Sequence, residues 1–315
     1  MTETATSNPT GPRPRRLTGG DVGIPPRHLD FRLPTEMVRW AYADNATATL
    51  FLAMLSAIFP PGEDFFVRSV VHFRDRVREE ELRARVAGFT AQEVIHSREH
   101  DRLNEAFTAR GFPVHVPERA VALALTVLDR TSPRQQLACT ALMEHFTAVM
   151  AEDILGSDEF ARRVHTDIRE LWHWHALEEL EHKSVTWDVY ELIGTDGPER
   201  RRAAPLVVAT VLPAVLFGWA YLLVQQGVWR RPADLREGYR LLFGPGQFVR
   251  RVLRRMPVFG HPRFHPDRHD TRELEARWRE TLFGDDGALA GQLRRPLRET
   301  QDLSPRDAGP ARPTP

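Results

Sequence analysis

The sequence predicts an all-α fold, and three observations carry that prediction. Apolar residues between about residues 35 and 283 recur at spacings of three and four, the period of a helix with one buried side. Alternation of apolar and polar residues, the mark of a half-buried strand, is almost absent. Turn-forming clusters fall between the periodic runs, at Pro60-Pro61-Gly62, Gly111-Phe112-Pro113, Ser132-Pro133, Gly156-Ser157 and Gly194-Thr195-Asp196-Gly197-Pro198. The 315 residues are 42% apolar and 27% charged, as in an ordinary globular chain. Basic and acidic residues both total 43, which removes the electrostatic case for a nucleic-acid partner. The single cysteine, Cys139, excludes an intrachain disulfide and argues against a thiolate zinc site.

Residues 1–30 are rich in Pro, Gly and Thr without apolar period, and read as a disordered or loosely draped arm. They lack the apolar run of a signal peptide, so a cytoplasmic location is expected. Helices are then expected near 35–58, 61–77, 79–109, 117–130, 133–155, 159–194, 200–229, 233–243, 246–255 and 271–283. Ser132 with Pro133 has the form of an N-cap followed by proline in the first turn. Residues 286–315 read as a largely disordered tail.

Four of these helices carry acids where a core is expected. Over 79–109 the apolar stripe is Leu82, Val86, Phe89, Leu103 and Phe107, and Glu93, His96 and His100 lie on that same stripe. Over 168–194 the stripe of Ile168, Leu171, Val185, Val189 and Leu192 holds His175, Glu179 and His182. Glu144 is the one acid among Leu137, Ala141, Ala148, Ala151 and Leu155. Glu63 opens the run Phe66, Val70, Phe73 and Val77, directly after Pro-Pro-Gly and so near a helix start. An unpaired charged glutamate on a core stripe costs several kcal/mol, so something must compensate.

The pattern is Glu, Glu-x-x-His, Glu, Glu-x-x-His, the ligand arrangement of four-helix dimetal carboxylate bundles. Residues i and i+3 share a helix face, so one carboxylate and one imidazole reach the same ion. Four carboxylates balance two divalent ions, and neutral imidazoles add no charge. Oxygen and nitrogen donors without thiolate suit Fe or Mn and also accept Zn. The sequence therefore predicts a ferritin-like four-helix bundle over 31–200 with two metal ions, most simply iron. Glu178 is a second candidate for the place of Glu179, because i,i+4 also faces His182. His100 and Glu178 are otherwise expected to support the ligands from behind.

Two family resemblances attach to these residues. Phe59-Pro60-Pro61-Gly62-Glu63, the run Gln92 to His100, residues 172–184 and Phe264-His265-Pro266 resemble a bacterial family described as predicted metal-dependent hydrolases. That resemblance spans roughly 35–270 and implies hydrolysis. The H-x-x-x-E-x-x-H run of His175, Glu179 and His182 resembles the ferritin-like di-iron N-oxygenases that act on arylamines. It implies a third histidine ligand and the set Glu63, Glu93, His96, Glu144, His175, Glu179 and His182.

From Ala203 to Trp229 no residue is charged, with arginines at 200–202 before the run and at 230–231 after it. About 20 apolar residues span a bilayer. Between Arg230 and Arg268 ten arginines face three acids, with Phe248, Val249, Val252 and Leu253 interleaved. Residues 201–285 therefore read as an apolar helix and basic amphipathic helices that meet either the inner face of a membrane or other protein. The leading functional expectation is a di-iron enzyme that activates O2 to oxygenate or oxidise a small organic substrate, lipid-like or an amine. No nicotinamide or flavin motif is present, so electrons come from a partner or from the substrate. The alternatives are a two-metal hydrolase, a non-catalytic iron-handling protein and a helical module with buried ion pairs. A homodimer is an expected assembly.

Overall fold

The computed structural model describes residues 15–294 apart from 32, 35, 195 and 196. The expected all-α architecture is found: the described residues form helices and two isolated β-bridges. The order is α1 (Ala46–Val71), α2 (Glu80–Ala109), α3 (His115–Leu128), α4 (Pro133–Gly156), α5 (Asp158–Arg163), α6 (Thr166–His182), α7 (Val185–Leu192), α8 (Glu199–Gln225), α9 (Pro232–Phe243), α10 (Phe248–Arg255) and α11 (Arg272–Phe283). Helices α1, α2, α4 and α6 pack around one interior, α1 against α2 and α4, and α6 against α2 and α4. These are the four helices that carry the anomalous acids.

Several boundaries differ from expectation, each for a local reason. The helix expected from 35 starts at Ala46, because Ala43 and Asp44 take the left-handed conformation (φ 48° and 49°). Asn45 then caps it, its Oδ1 accepting from Ala48 N at 2.8 Å. The expected break at Pro60-Pro61-Gly62 does not occur, and α1 runs through both prolines. Pro60 has no N–H for the carbonyl of Ser56. Asn104 on α2 donates to that carbonyl instead, at 3.3 Å. Glu63 therefore sits well inside a helix rather than at its start. The helix expected over 159–194 is three, α5, α6 and α7. Val164 turns extended (ψ 131°) and pairs with Tyr42, and a second break falls at Lys183–Ser184. The Ser132–Pro133 start of α4 is as expected, with Ser132 accepting from Gln135 N.

From Arg15 onward the arm lies against the bundle. Ile24 and Leu29 are buried, and Gly88 of α2 lets the arm come close: a Cβ there would lie 2.7 Å from Ile24 O. At the other end Leu289 is buried and Leu293 bridges to Leu29. The rest of the expected arm, 1–14, and of the expected tail, 295–315, lies outside the described residues.

Candidate metal centre

Seven side chains converge between α1, α2, α4 and α6, and they are the seven singled out above. Glu63 comes from α1, Glu93 and His96 from α2, Glu144 from α4, and His175, Glu179 and His182 from α6. None is more than 3% exposed. Their donor atoms form three overlapping groups: Glu63, His96 and His175; Glu93, His96 and Glu179; Glu93, Glu144 and His182.

The overlap resolves into two poles joined by two carboxylates. Glu179 places Oε1 at 2.9 Å from His175 Nε2 and 3.8 Å from His96 Nδ1, and Oε2 at 3.6 Å from His182 Nε2. Glu93 places Oε2 at 3.9 Å from His96 Nδ1 and Oε1 at 3.1 Å from His182 Nε2. Each thus offers one oxygen to either side. Glu63 faces His175 at 3.6 Å on one side, and Glu144 faces His182 at 3.7 Å on the other.

Most of the donor atoms are left over by the protein's own hydrogen bonds, His175 Nε2 and Glu179 Oε1 being a pair 2.9 Å apart. Both oxygens of Glu93 and of Glu144, Glu63 Oε1, Glu179 Oε2, His96 Nδ1 and His182 Nε2 are buried without a hydrogen-bond partner among the described residues. So many orphaned polar atoms in one interior would each cost about 1–3 kcal/mol without a ligand. Bound cations in this position would satisfy them together.

A surrounding layer turns each imidazole toward the centre. His182 Nδ1 lies 3.0 Å from Gln92 Oε1. Gln92 spends its amide hydrogens on Pro25 O and Glu181 Oε2, so its oxygen accepts and His182 Nε2 is free. His96 Nε2 lies 3.0 Å from Glu178 Oε2, which leaves Nδ1 free. His175 Nδ1 meets His100 Nε2 at 2.6 Å. His100 Nδ1 meets Ser56 Oγ at 2.9 Å, and Ser56 donates onward to Asn104 Oδ1 at 2.7 Å. That direction makes His100 Nε2 an acceptor and leaves His175 Nε2 lone-paired for a metal. Ser97 donates to Glu63 Oε2 at 2.6 Å.

Glu178 points out of the cluster, so the alternative in which it replaces Glu179 does not fit. Its other oxygen accepts from Arg27 at 2.9 Å, and Arg27 also grips Glu181 with two bonds of 2.7 Å. Arg279 of α11 joins Glu181 at 2.7 Å, so both ends of the chain brace α6. Arg27, Gln92, Ser56 and Asn104 were not legible as site residues. Gln92 alone carried a signal, as the neighbour of Glu93 in the Glu-x-x-His run. Cys139 is buried in a separate apolar cluster, where burial pushes its thiol up to about 11. His265 pairs with Asp188 at 3.1 Å and does not join the seven.

The electrostatics are those of a site built for cations. Burial and the neighbouring Glu93 push the Glu63 and Glu144 carboxyls well above their usual range, and burial raises Glu93 as well. Burial works against ionised Glu179 too, but His182 and His175 beside it hold it well below that range. Burial and the neighbouring His175 hold His96 and His100 well below the ordinary histidine value. A carboxylate that resists ionising without a cation and an imidazole kept neutral, as at His96, suit metal binding, whereas at His182 burial opposes the charge but Glu179 and Glu93 raise it.

A family model for predicted metal-dependent hydrolases matches residues 25–270. No curated protein and no solved structure matches the chain. The match takes in all seven converging residues and Arg27 behind them. The chain belongs to the family of predicted metal-dependent hydrolases.

Proposed function

We propose that the seven residues bind two metal ions, iron in the working protein, and that the chain is an O2-dependent oxidase or oxygenase of ferritin-like architecture. The observation that carries this is the pair of shared carboxylates, Glu93 and Glu179, each with one oxygen toward each pole. Four carboxylates offset two divalent ions, and two histidines at one pole against one at the other make the two positions unequal. Bound iron would supply redox exchange with O2. The protein's part is to fix the imidazoles through Gln92, Glu178 and His100, to keep water out, and to hold the substrate nearby. Two cavities, of about 380 and 880 Å³, are lined by none of the seven. The larger one has Phe31 in its wall. Phe31 packs on Trp174 at 5.3 Å, and Trp174 packs on His96 at 5.0 Å. An organic substrate in that cavity would be separated from the centre by this aromatic pair, a position that suits oxidation by electron transfer and not direct oxygen insertion.

The second reading is a two-metal hydrolase, in which the ions lower the pKa of a water and clamp the attacked group. The family description favours it. The burial of all seven donors favours a small gas over a bulky ester as the direct reactant. The deciding experiment is metal analysis of protein produced with added iron, then anaerobic ferrous loading and rapid mixing with O2. Two irons per chain, a transient visible band and O2 uptake support the oxidase reading. Two bound ions indifferent to O2, with turnover of esters or phosphoesters, select hydrolysis. Absence of bound metal overturns both.

A further inference from the structure

The apolar run from Ala203 to Trp229 takes no part in the metal centre, and the core covers it on one side only. Only 11% of the apolar stretch of α8 is buried, against 61% of that of α1. One side of α8 is fastened to the bundle along its length. Ala203 and Leu222 are buried, and Gly218 lies so close to Pro117 of α3 that a Cβ would meet it at 2.5 Å. Trp219 Nε1 donates to Thr47 O, and Gln226 donates to Gly111 O at 2.7 Å. The opposite side carries Val208, Leu212, Leu216, Phe217 and Val224, each between 43% and 56% exposed. At about 1.5 Å per residue this helix is about 40 Å long. Exposed Leu123 and Val127 of α3, the helix beside it, add to the apolar surface. A strip of this length marks an interaction surface.

Charge says what covers it. Of the arginines and carboxylates in 115–130 and 199–231, the exposed ones are six arginines, at 119, 130, 201, 202, 230 and 231, whereas Glu118, Asp129 and Glu199 are half-buried, Asp129 paired with Arg68 and Glu199 with Arg134. Two of these arginines stand at the start of α8 and two just past its end. In a two-fold pair of α8 helices, antiparallel or parallel, these arginine ends would meet their own kind, and like charges would gather at both ends. An anionic lipid surface meets these exposed arginines with opposite charge at both ends. Trp229, 54% exposed beside Arg230, sits where an interfacial aromatic belongs.

We propose that α8 docks the protein in the plane of an anionic lipid bilayer, with Leu212, Leu216 and Phe217 entering the acyl boundary and the flanking arginines on the headgroups. The helix lies on the membrane instead of crossing it, because its inner side stays bonded to the bundle at both ends. Such binding combines apolar burial with about 1 kcal/mol for each arginine near the surface, or about five-fold in affinity.

The test is flotation of the full-length protein with phosphatidylcholine vesicles and with mixed phosphatidylcholine–phosphatidylglycerol vesicles. The wild type is expected to float with the mixed vesicles and to lose binding in high salt. Arg201→Gln with Arg202→Gln is expected to bind roughly 30-fold more weakly. Leu216→Glu with Phe217→Glu is expected to abolish binding while helicity and metal content stay unchanged, which separates loss of docking from loss of fold. Failure of the wild type to bind mixed vesicles overturns the proposal. So does a stable dimer that the Leu216→Glu, Phe217→Glu pair converts to monomer without any vesicle binding, which would assign the face to a second copy.

Discussion

Gln92 holds His182 by its Nδ1 at 3.0 Å, one residue before the Glu93 whose Oε1 lies 3.1 Å from the same ring's Nε2. The amide sets which nitrogen keeps its hydrogen, and the carboxylate stands at the nitrogen left free. Gln92→Leu removes the acceptor and lets the ring rotate or change tautomer. Metal affinity is expected to fall about 10- to 100-fold, with helicity preserved. Titration of the metal-free variant with ferrous ion in competition with a chelator reads this directly. Unchanged affinity would mean that packing against Phe89 alone orients the ring.

Arg27 ties the arm to the centre's outer layer. It is 9% exposed and bonds both Glu178 and Glu181. Arg27→Leu leaves Glu178 buried with no cation and Glu181 with Arg279 alone. Removing one partner of a buried pair costs about 3–5 kcal/mol, and that loss is expected in urea unfolding of the metal-free protein. Arg27→Lys keeps the charge without the two-pronged grip, so it is expected to restore only part of the loss.

These two residues mark where the sequence is readable and where it is not. Glu93, Glu144 and Glu179 stand out because a carboxylate on an apolar helical stripe is a local anomaly. Their helices can be recognised from period alone. Glu63 was legible as a core acid, but its place inside a helix was hidden by Pro60 and Pro61, which read as a helix end. The carbonyl of Ser56 that Pro60 abandons finds Asn104, 48 residues further along, and no local rule anticipates that. Arg27 lies in a Pro-rich stretch without periodicity, and its value comes only from partners some 150 residues away. The outward side of α8 has the composition of a core helix, and only the packing shows that it is uncovered.

The metal-free and metal-bound proteins are expected to diverge in stability as pH rises above about 7. Burial first, and neighbouring Glu93 second, raise Glu63 and Glu144 above the ordinary carboxyl value of 4.5. A raised folded pKa contributes stability below the unfolded value and loses it as pH climbs through the folded one. His182 acts in the same direction: burial opposes its charge, but Glu179 and Glu93 raise it above 6.5. His96 and His100 are depressed and lose stability only as pH falls below 6.5, which is why the comparison belongs above that value. Metal takes the deprotonated ligands, so the bound form escapes the loss. Glu178, pushed up to about 8 by burial against the pull of Arg27, belongs to both forms and largely cancels. Thermal melts with and without metal between about pH 7 and 9 should show a widening gap. A constant gap would contradict the link between these carboxylates and the ions.

The two-pole geometry makes a sharper claim than metal binding as such, because it assigns each ligand to a position. Glu144 and His182 lie together on one side, Glu63 and His175 on the other. Glu144→Ala or His182→Ala is therefore expected to leave one ion per chain, and so is Glu63→Ala. Paired replacement of Glu93 and Glu179 by Ala removes the oxygens both positions share and is expected to leave none. Each of these carboxylates is buried, so a fall in metal content could also reflect a disturbed fold. Glu144→Gln separates the two, because it keeps the shape and removes the charge that lacks a partner in the metal-free chain. That variant should melt at least as high as wild type without metal and gain less from adding it. Elemental analysis of the set, after dialysis against a weak chelator, gives the counts. Two ions retained in both Glu144→Ala and His182→Ala would overturn the assignment of that pole. One ion retained after loss of both Glu93 and Glu179 would show that they are not the shared ligands.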